Sequence, residues 1–109
     1  MADNSERSAL TEGVYLILLS MLKPRHGYAV MQHIGRLTKG RVVLGAGTLY
    51  GAINTLLEKQ WIYTVGEDEN SRKKEFVITD LGREALHIEM ARLEESLIIG
   101  KSELEGSRS

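Results

Sequence analysis

Residues 45–79 read GAGTLYGAINTLLEKQWIYTVGEDENSRKKEFVIT, and the change of period inside this stretch decides the fold. In its first half Leu49, Ile53, Leu56 and Leu57 fall at i, i+4, i+7 and i+8, which predicts a helix over 45–59 with one apolar side. The opposite side offers Thr48, Gly51, Asn54, Thr55 and Glu58, with Tyr50 at the flank, so the start of the helix presents small, polar, uncharged groups. In the second half the period drops to two. Residues 61–65 are β-branched and aromatic, 66–71 form a polar turn, and 73–79 alternate again, which predicts an antiparallel hairpin with a charged tip.

Working towards the N-terminus, 26–38 reads as a second helix that buries Tyr28 or Ala29 with Val30, Ile34 and Leu37. Gln32, His33, Arg36 and Lys39 are left on its other face, and Gly40 ends it. Residues 42–44 form a short extended link. Residues 12–22 form a first helix, bounded by Pro24 and capped by Thr11 or Ser8, whose interior is apolar on every side. Such a helix requires burial all round. Either it is the central core helix, or a second copy of the chain covers the face that one copy leaves bare.

Towards the C-terminus, Thr79 or Asp80 caps a long fourth helix. Leu86, Met90, Leu93 and Leu97 recur along it at i, i+4, i+7 and i+11, beside a second set of Leu81, Ala85 and Ile88. Two stripes imply two packing partners, the domain core for the first turns and a second subunit for the later stripe. The expected dimer contact comprises Val14, Leu18, Leu86, Met90, Leu93 and Leu97. The expected organisation is a flexible tail at 1–8, a domain at 9–79 that its element order, three helices and then a hairpin, marks as a winged-helix DNA-binding domain, a dimerisation helix at 80–105 and a flexible tail at 106–109.

Three helices followed by a two-stranded hairpin make a mainly α (α+β) winged helix-turn-helix, in which the third helix enters the major groove of DNA. Thr48 and Tyr50 lie where such a helix reaches base edges, Gly51 permits close approach to the groove wall, and helical geometry adds Asn54. Arg72, Lys73 and Lys74 at the hairpin tip would lie over phosphates.

Composition bounds the alternatives. The chain has 109 residues, 42% hydrophobic and 27% charged, as expected of one folded domain. It has no cysteine, which excludes disulfides, thiol catalysis and cysteine-ligated metals. The first eight residues lack a basic head and an apolar run, and the longest apolar run is far short of a bilayer span, so a cytoplasmic location and no membrane partner are expected. Lys and Arg total 14 against 15 Asp and Glu, for a net charge of −1. The average conceals a polarity: between Gly13 and Leu57 stand Lys23, Arg25, Arg36, Lys39 and Arg41 with no acid. His26, His33 and His87 lack partners at metal-ligand spacing, so no metal is assigned. Gly45, Gly47 and Gly51 mimic a phosphate-binding loop, but the spacing is wrong and no βαβ context surrounds it, so no cofactor is expected. No grouping suggests an activated nucleophile, and the reading is not an enzyme. Against the DNA-binding reading stands a winged-helix module that binds a protein partner through its last helix.

Four motifs resemble the PadR family in order and spacing. They are His26-Gly27-Tyr28 opening the second helix, Gly47-Thr48-Leu49-Tyr50 opening the third, Arg72-Lys73-Lys74 in the wing, and Thr79-Asp80-Leu81-Gly82 before the last helix. The resemblance runs from about Leu10 to Leu97, and the single last helix is similar to the compact PadR-like subgroup. It implies a homodimeric transcription regulator, usually a repressor, on double-stranded DNA carrying an inverted-repeat operator, with a small-molecule effector as a further partner. Thr48 and Tyr50 fall on the recognition-helix motif and Arg72, Lys73 and Lys74 on the wing motif, while Gly27 and Tyr28 are packing residues. The chain departs from the pattern at Ala46 in place of a helix-starting Pro, at Gln60 in place of a helix-ending Gly, and at Glu75-Phe76 in place of paired tyrosines. Leu93 stands where compact members stack flat ligands on an aromatic residue.

Overall fold

The structure, a computed structural model, describes residues 9–66 and 74–108. In order, these form α1 (Glu12–Ser20), β1 (Arg25–His26), α2 (Gly27–Leu37), α3 (Ala46–Glu58), β2 (Ile62–Val65), β3 (Glu75–Ile78) and α4 (Asp80–Gly106). The winged helix-turn-helix and the long last helix are as the sequence pattern implies. The sheet has three strands in the order β1-β3-β2, all antiparallel, with Ile62 opposite Ile78 and Arg25 opposite Phe76. The added strand, β1, is only two residues long, too short to carry a period.

Thr11 caps α1 by accepting from the Val14 amide at 3.2 Å. Leu16, Ile17, Leu18 and Ser20 are buried, and Ser20 satisfies its own hydroxyl by donating to the Leu16 carbonyl at 2.8 Å. Hence α1 is the central core helix. Leu18 is 0% exposed and has no surface to give a second subunit, which removes it from the expected dimer contact. Leu86 is removed for the same reason: at 3% exposure it packs with Ala85 against the core of its own chain.

His26 does not start α2 but caps it, its ring Nδ1 accepting from the Ala29 amide at 3.4 Å. Val30 and Ile34 carry the buried stripe, while Leu37 and Tyr28 are exposed, Tyr28 by 62%. The helix ends in a left-handed turn at Lys39 (φ 52°) and Gly40 (φ 82°), where the Gly40 amide donates to the Gly35 carbonyl at 2.8 Å. Thus Lys39 shares with Gly40 the work of stopping the helix.

In α3, Leu49, Ile53 and Leu56 are buried, as the spacing predicts. Its end is a Schellman turn: the Trp61 amide donates to the Leu56 carbonyl and the Gln60 amide to the Leu57 carbonyl, both at 3.0 Å. Gln60 therefore takes the left-handed conformation (φ 61°) that glycine adopts freely.

This turn meets the start of α4. The Thr79 amide donates to the Trp61 carbonyl at 2.9 Å, the Thr79 hydroxyl donates to the Gln60 carbonyl at 2.7 Å, and Thr79 Oγ1 also accepts from the Gly82 amide at 3.0 Å. Gly82 is pressed onto the same carbonyl: a Cβ there would lie 2.2 Å from the Trp61 oxygen and 2.7 Å from Ile78 Cγ1. One turn beyond the core residues, Glu89 is a buried carboxylate, 4% exposed. It pairs with Arg92 and accepts from the Leu10 amide at 3.1 Å, tying the segment just before α1 to α4. The Arg92 hydrogen bond, aided by the Leu10 amide and by the guanidinium charge, outweighs burial and holds its carboxyl below the usual range.

At 27 residues α4 is about 40 Å long, so its second half extends past the core of a molecule measuring 65 × 37 × 21 Å. No helix among the described residues is long and apolar enough to cross a membrane.

Opposite effects are expected at the two turn positions. Gln60→Gly should raise the unfolding free energy by about 0.5–1 kcal/mol, because relief of the left-handed strain exceeds the added chain entropy. Gly82→Ala should lower it by about 2–3 kcal/mol, because the Trp61 backbone cannot yield. Urea unfolding reads both, and a stabilised Gly82→Ala or a destabilised Gln60→Gly contradicts this account of the junction.

Candidate nucleic-acid interface

The same 3.6-residue period that buries Leu49, Ile53 and Leu56 turns Thr48, Gly51, Asn54 and Thr55 outward, and all four are exposed. The structure thus brings Thr48, Gly51 and Asn54 onto one open face of α3. Gly45 caps this helix without a side-chain hydrogen bond, and no acidic residue stands in the first turn, so the first amides point outward unneutralised.

Tyr50 occupies the edge of this face, 46% exposed, with its hydroxyl end lying against α2. A Cβ on Gly27 would fall 2.3 Å from the Tyr50 hydroxyl oxygen and 2.7 Å from Cζ. Gly27 is therefore the missing side chain that lets Tyr50 lie down, and the motifs opening α2 and α3 are two halves of one contact. Gly27 packs as the family resemblance implies. Tyr28 does not: its neighbour Ala29 turns inward, leaving the Tyr28 ring in solvent at the end of α2 nearest Tyr50. The sequence had offered either residue for the buried stripe, and only the packing of the Gly27 position chooses between them.

Lys74 is exposed at the foot of β3. Arg72 and Lys73 lie outside the described residues. Of the basic residues in 13–57, two are engaged within the fold. Arg41 pairs with Glu12, the acid that stands just before the acid-free segment. The hydrogen bond lowers the pKa of the Glu12 carboxyl and raises that of the guanidinium. Arg25 donates from Nε to the Ser20 carbonyl at 2.8 Å. His33 is lowered below the usual histidine range by burial and then by the nearby Arg25 and Arg36 guanidiniums, which places three basic side chains together beside α2.

Of the residues expected at a dimer contact, Val14 is half-buried, and Met90, Leu93 and Leu97 are exposed on the part of α4 that leaves the core, where Ile98 and Leu104 join them.

The model of the Transcriptional regulator PadR-like family matches residues 16–88. The chain belongs to this family of transcriptional regulators. PadR-like proteins are regulators rather than enzymes, so the polar face on α3 is read as a binding surface and not as a reaction centre. The PadR-like chain is also 41% identical over 73 residues to an uncharacterized 37.1 kDa protein in transposon TN4556 of Streptomyces fradiae, covering 64% of this chain and 20% of that protein. It thus spans about a fifth of the curated relative. Among solved structures it is similar to a transcriptional regulator from Clostridium thermocellum, with a TM-score of 0.70 at 22% identity, covering 83% of this chain and 90% of that one. It is also similar to a PadR family transcriptional regulator from Eggerthella lenta, with a TM-score of 0.65 at 25% identity, covering 84% and 79%.

If Gly27 exists to seat Tyr50, the two positions are energetically coupled. Gly27→Ala is expected to cost about 1–2 kcal/mol with Tyr50 present and less than about 0.5 kcal/mol in a Tyr50→Ala background, measured by urea unfolding of the four proteins of the cycle. Equal costs in both backgrounds would show that the contact is not what requires glycine.

Proposed function

We propose that this PadR-like chain is a sequence-specific DNA-binding repressor that acts as a homodimer on an inverted-repeat operator. The observation that carries the reading is the outer face of α3. Gly51 lies in the middle of that helix, where glycine costs about 1 kcal/mol relative to alanine, yet a Cβ there would meet no atom of the chain within 4 Å. Packing within the chain does not require this glycine. A surface that approaches from outside does, and a groove wall set against Thr48, Tyr50, Gly51 and Asn54 supplies one.

Thr48, Tyr50 and Asn54 are assigned to base edges, where hydroxyl and amide groups both donate and accept. Lys74, with Arg72 and Lys73, is assigned to phosphates. Two copies are held together through Met90, Leu93 and Leu97, with half-buried Val14 of α1 at the margin, since a stripe of exposed apolar side chains on a projecting helix is stabilised when a second copy covers it. Twofold symmetry of the protein then calls for twofold symmetry of the operator. Repression, and release by a small molecule, are the behaviour that the family resemblance suggests.

A duplex selected from a random pool by the purified protein should bind roughly a thousandfold tighter than a scrambled one at physiological salt. Gly51→Ala should stabilise the fold by about 0.5–1 kcal/mol while weakening the selected duplex, and Thr48→Ala or Tyr50→Ala should reduce the preference. Lys74→Ala should weaken both duplexes alike and reduce the salt slope by about one. Full preference retained in Gly51→Ala, Thr48→Ala and Tyr50→Ala, by fluorescence anisotropy, would rule out this face.

A further inference from the structure

Residues 38–45, which join α2 to α3, hold an apolar side chain out in solvent. Val43 is 82% exposed, more than any other large hydrophobic side chain among the described residues. The linker that carries it is pinned at several points. The Thr38 hydroxyl donates to the Ile34 carbonyl at 2.9 Å and accepts from the Val42 amide at 3.1 Å. Arg41 pairs with Glu12 of α1. Val42 and Leu44 pack against the core, and a Cβ on Gly13 of α1 would lie 3.8 Å from Leu44 Cδ2. Burial alternates along the link, half-buried at Val42 and Leu44 and exposed at Val43 and Gly45, so the two side chains held inward fix Val43 outward.

The position of Val43 gives this exposure a use. Gly45 caps α3 two residues later, and Gly45, Ala46, Gly47 and Thr48 are all exposed, so Val43 stands at the leading edge of the surface assigned to DNA. Two residues of extended chain span roughly 7 Å, or about two base-pair steps, which brings a base pair beside those assigned to Thr48 and Tyr50 within reach. A valine has neither a donor nor an acceptor to offer a phosphate or a polar base edge. The apolar group that base pairs present in the major groove is the C5-methyl of thymine. Because a β-branched side chain is stiff at χ1, ordering it against that methyl loses little rotamer freedom.

We propose that Val43 is a specificity-determining residue that packs on the methyl group of a thymine at the edge of each operator half-site. The proposal rests on the DNA-binding reading of α3 and adds to it an apolar contact outside that helix. Thr38 and the Glu12–Arg41 pair hold the linker in place before DNA arrives, so the contact is preorganised and binding orders no loop to make it.

The test uses the full chain and the duplex it selects from a random pool, with each thymine replaced in turn by deoxyuridine, which keeps the base pair and removes only the methyl. By fluorescence anisotropy, one thymine in each half-site should depend on Val43. Its deoxyuridine form should bind the unaltered chain about fourfold more weakly, as expected for one buried methyl, and Val43→Ala should bind the two forms equally. At so exposed a position, Val43→Ala should leave the unfolding midpoint and the affinity for a scrambled duplex unchanged. A selected duplex in which no thymine methyl matters, a methyl dependence that survives Val43→Ala, or an equal loss on selected and scrambled duplexes would each overturn the proposal, the last by placing Val43 on the sugar-phosphate backbone. Thr48→Ala separates this contact from the reading beneath it. Should Thr48→Ala abolish the preference while Val43→Ala alters no methyl dependence, the thymine contact is wrong and the reading face stands; should no duplex be selected at all, both fall.

Discussion

The hydrogen bond from the Thr79 amide to the Trp61 carbonyl fixes how the parts of this molecule sit on one another. It joins the residue that ends α3 and starts β2 to the residue that ends β3 and caps α4. The Thr79 hydroxyl adds a second bond to the Gln60 carbonyl, and Gly82 lets α4 approach the same peptide with no side chain between. From the other side, the Ile78 amide donates to the Met21 carbonyl at 2.8 Å, tying the sheet to the end of α1. Each bond contributes about 1 kcal/mol, which is modest. Their geometric effect is larger, because they fix the direction in which α3 points relative to α4. Under the proposed function, in which α3 reads DNA and α4 pairs two copies, that direction would set the spacing between two reading heads.

The division of labour within α3 follows from helical periodicity. Leu49, Ile53 and Leu56 supply the burial that holds the helix, so the outward residues are free of structural duty and can be chosen for what they touch. Tyr50 is the exception, with one side packed over Gly27 and the other in solvent, which makes it a rigid aromatic group at the edge of an otherwise small-residue face. Ala52, Thr55 and Leu56 of the same helix also border a cavity shared with Leu10, Thr11 and Val14.

The sequence revealed the elements through their periods. The apolar spacing of Leu49, Ile53 and Leu56 and the alternation of Phe76 and Ile78 gave a helix and a strand directly, and four motifs identified the family. What it concealed lacks a period or depends on tertiary packing. The two residues of β1 are too few to alternate. Left-handed turns at Lys39 and Gln60 fall on residues without a turn preference, and are imposed by the Schellman hydrogen bonds around them. Leu18 and Leu86 looked available to a partner because an apolar residue reads the same whether its own chain or another covers it. Glu89 belongs to a segment whose other acids are exposed, and the Leu10 amide and Arg92 explain its burial. Tyr28 and Ala29 fit the α2 stripe equally well by spacing, and the Tyr50 ring over Gly27 settles the rotation of that turn.

The most direct test is to follow backbone amide chemical shifts while a cognate duplex is added to the full chain. If α3 is the reading helix, the largest changes will fall on residues 46–54 and around Lys74, with the outer half of α4 unaffected. If instead the changes concentrate on Leu93, Leu97 and Ile98, or are spread evenly over every basic side of the molecule, α3 is not what meets DNA and the account is wrong.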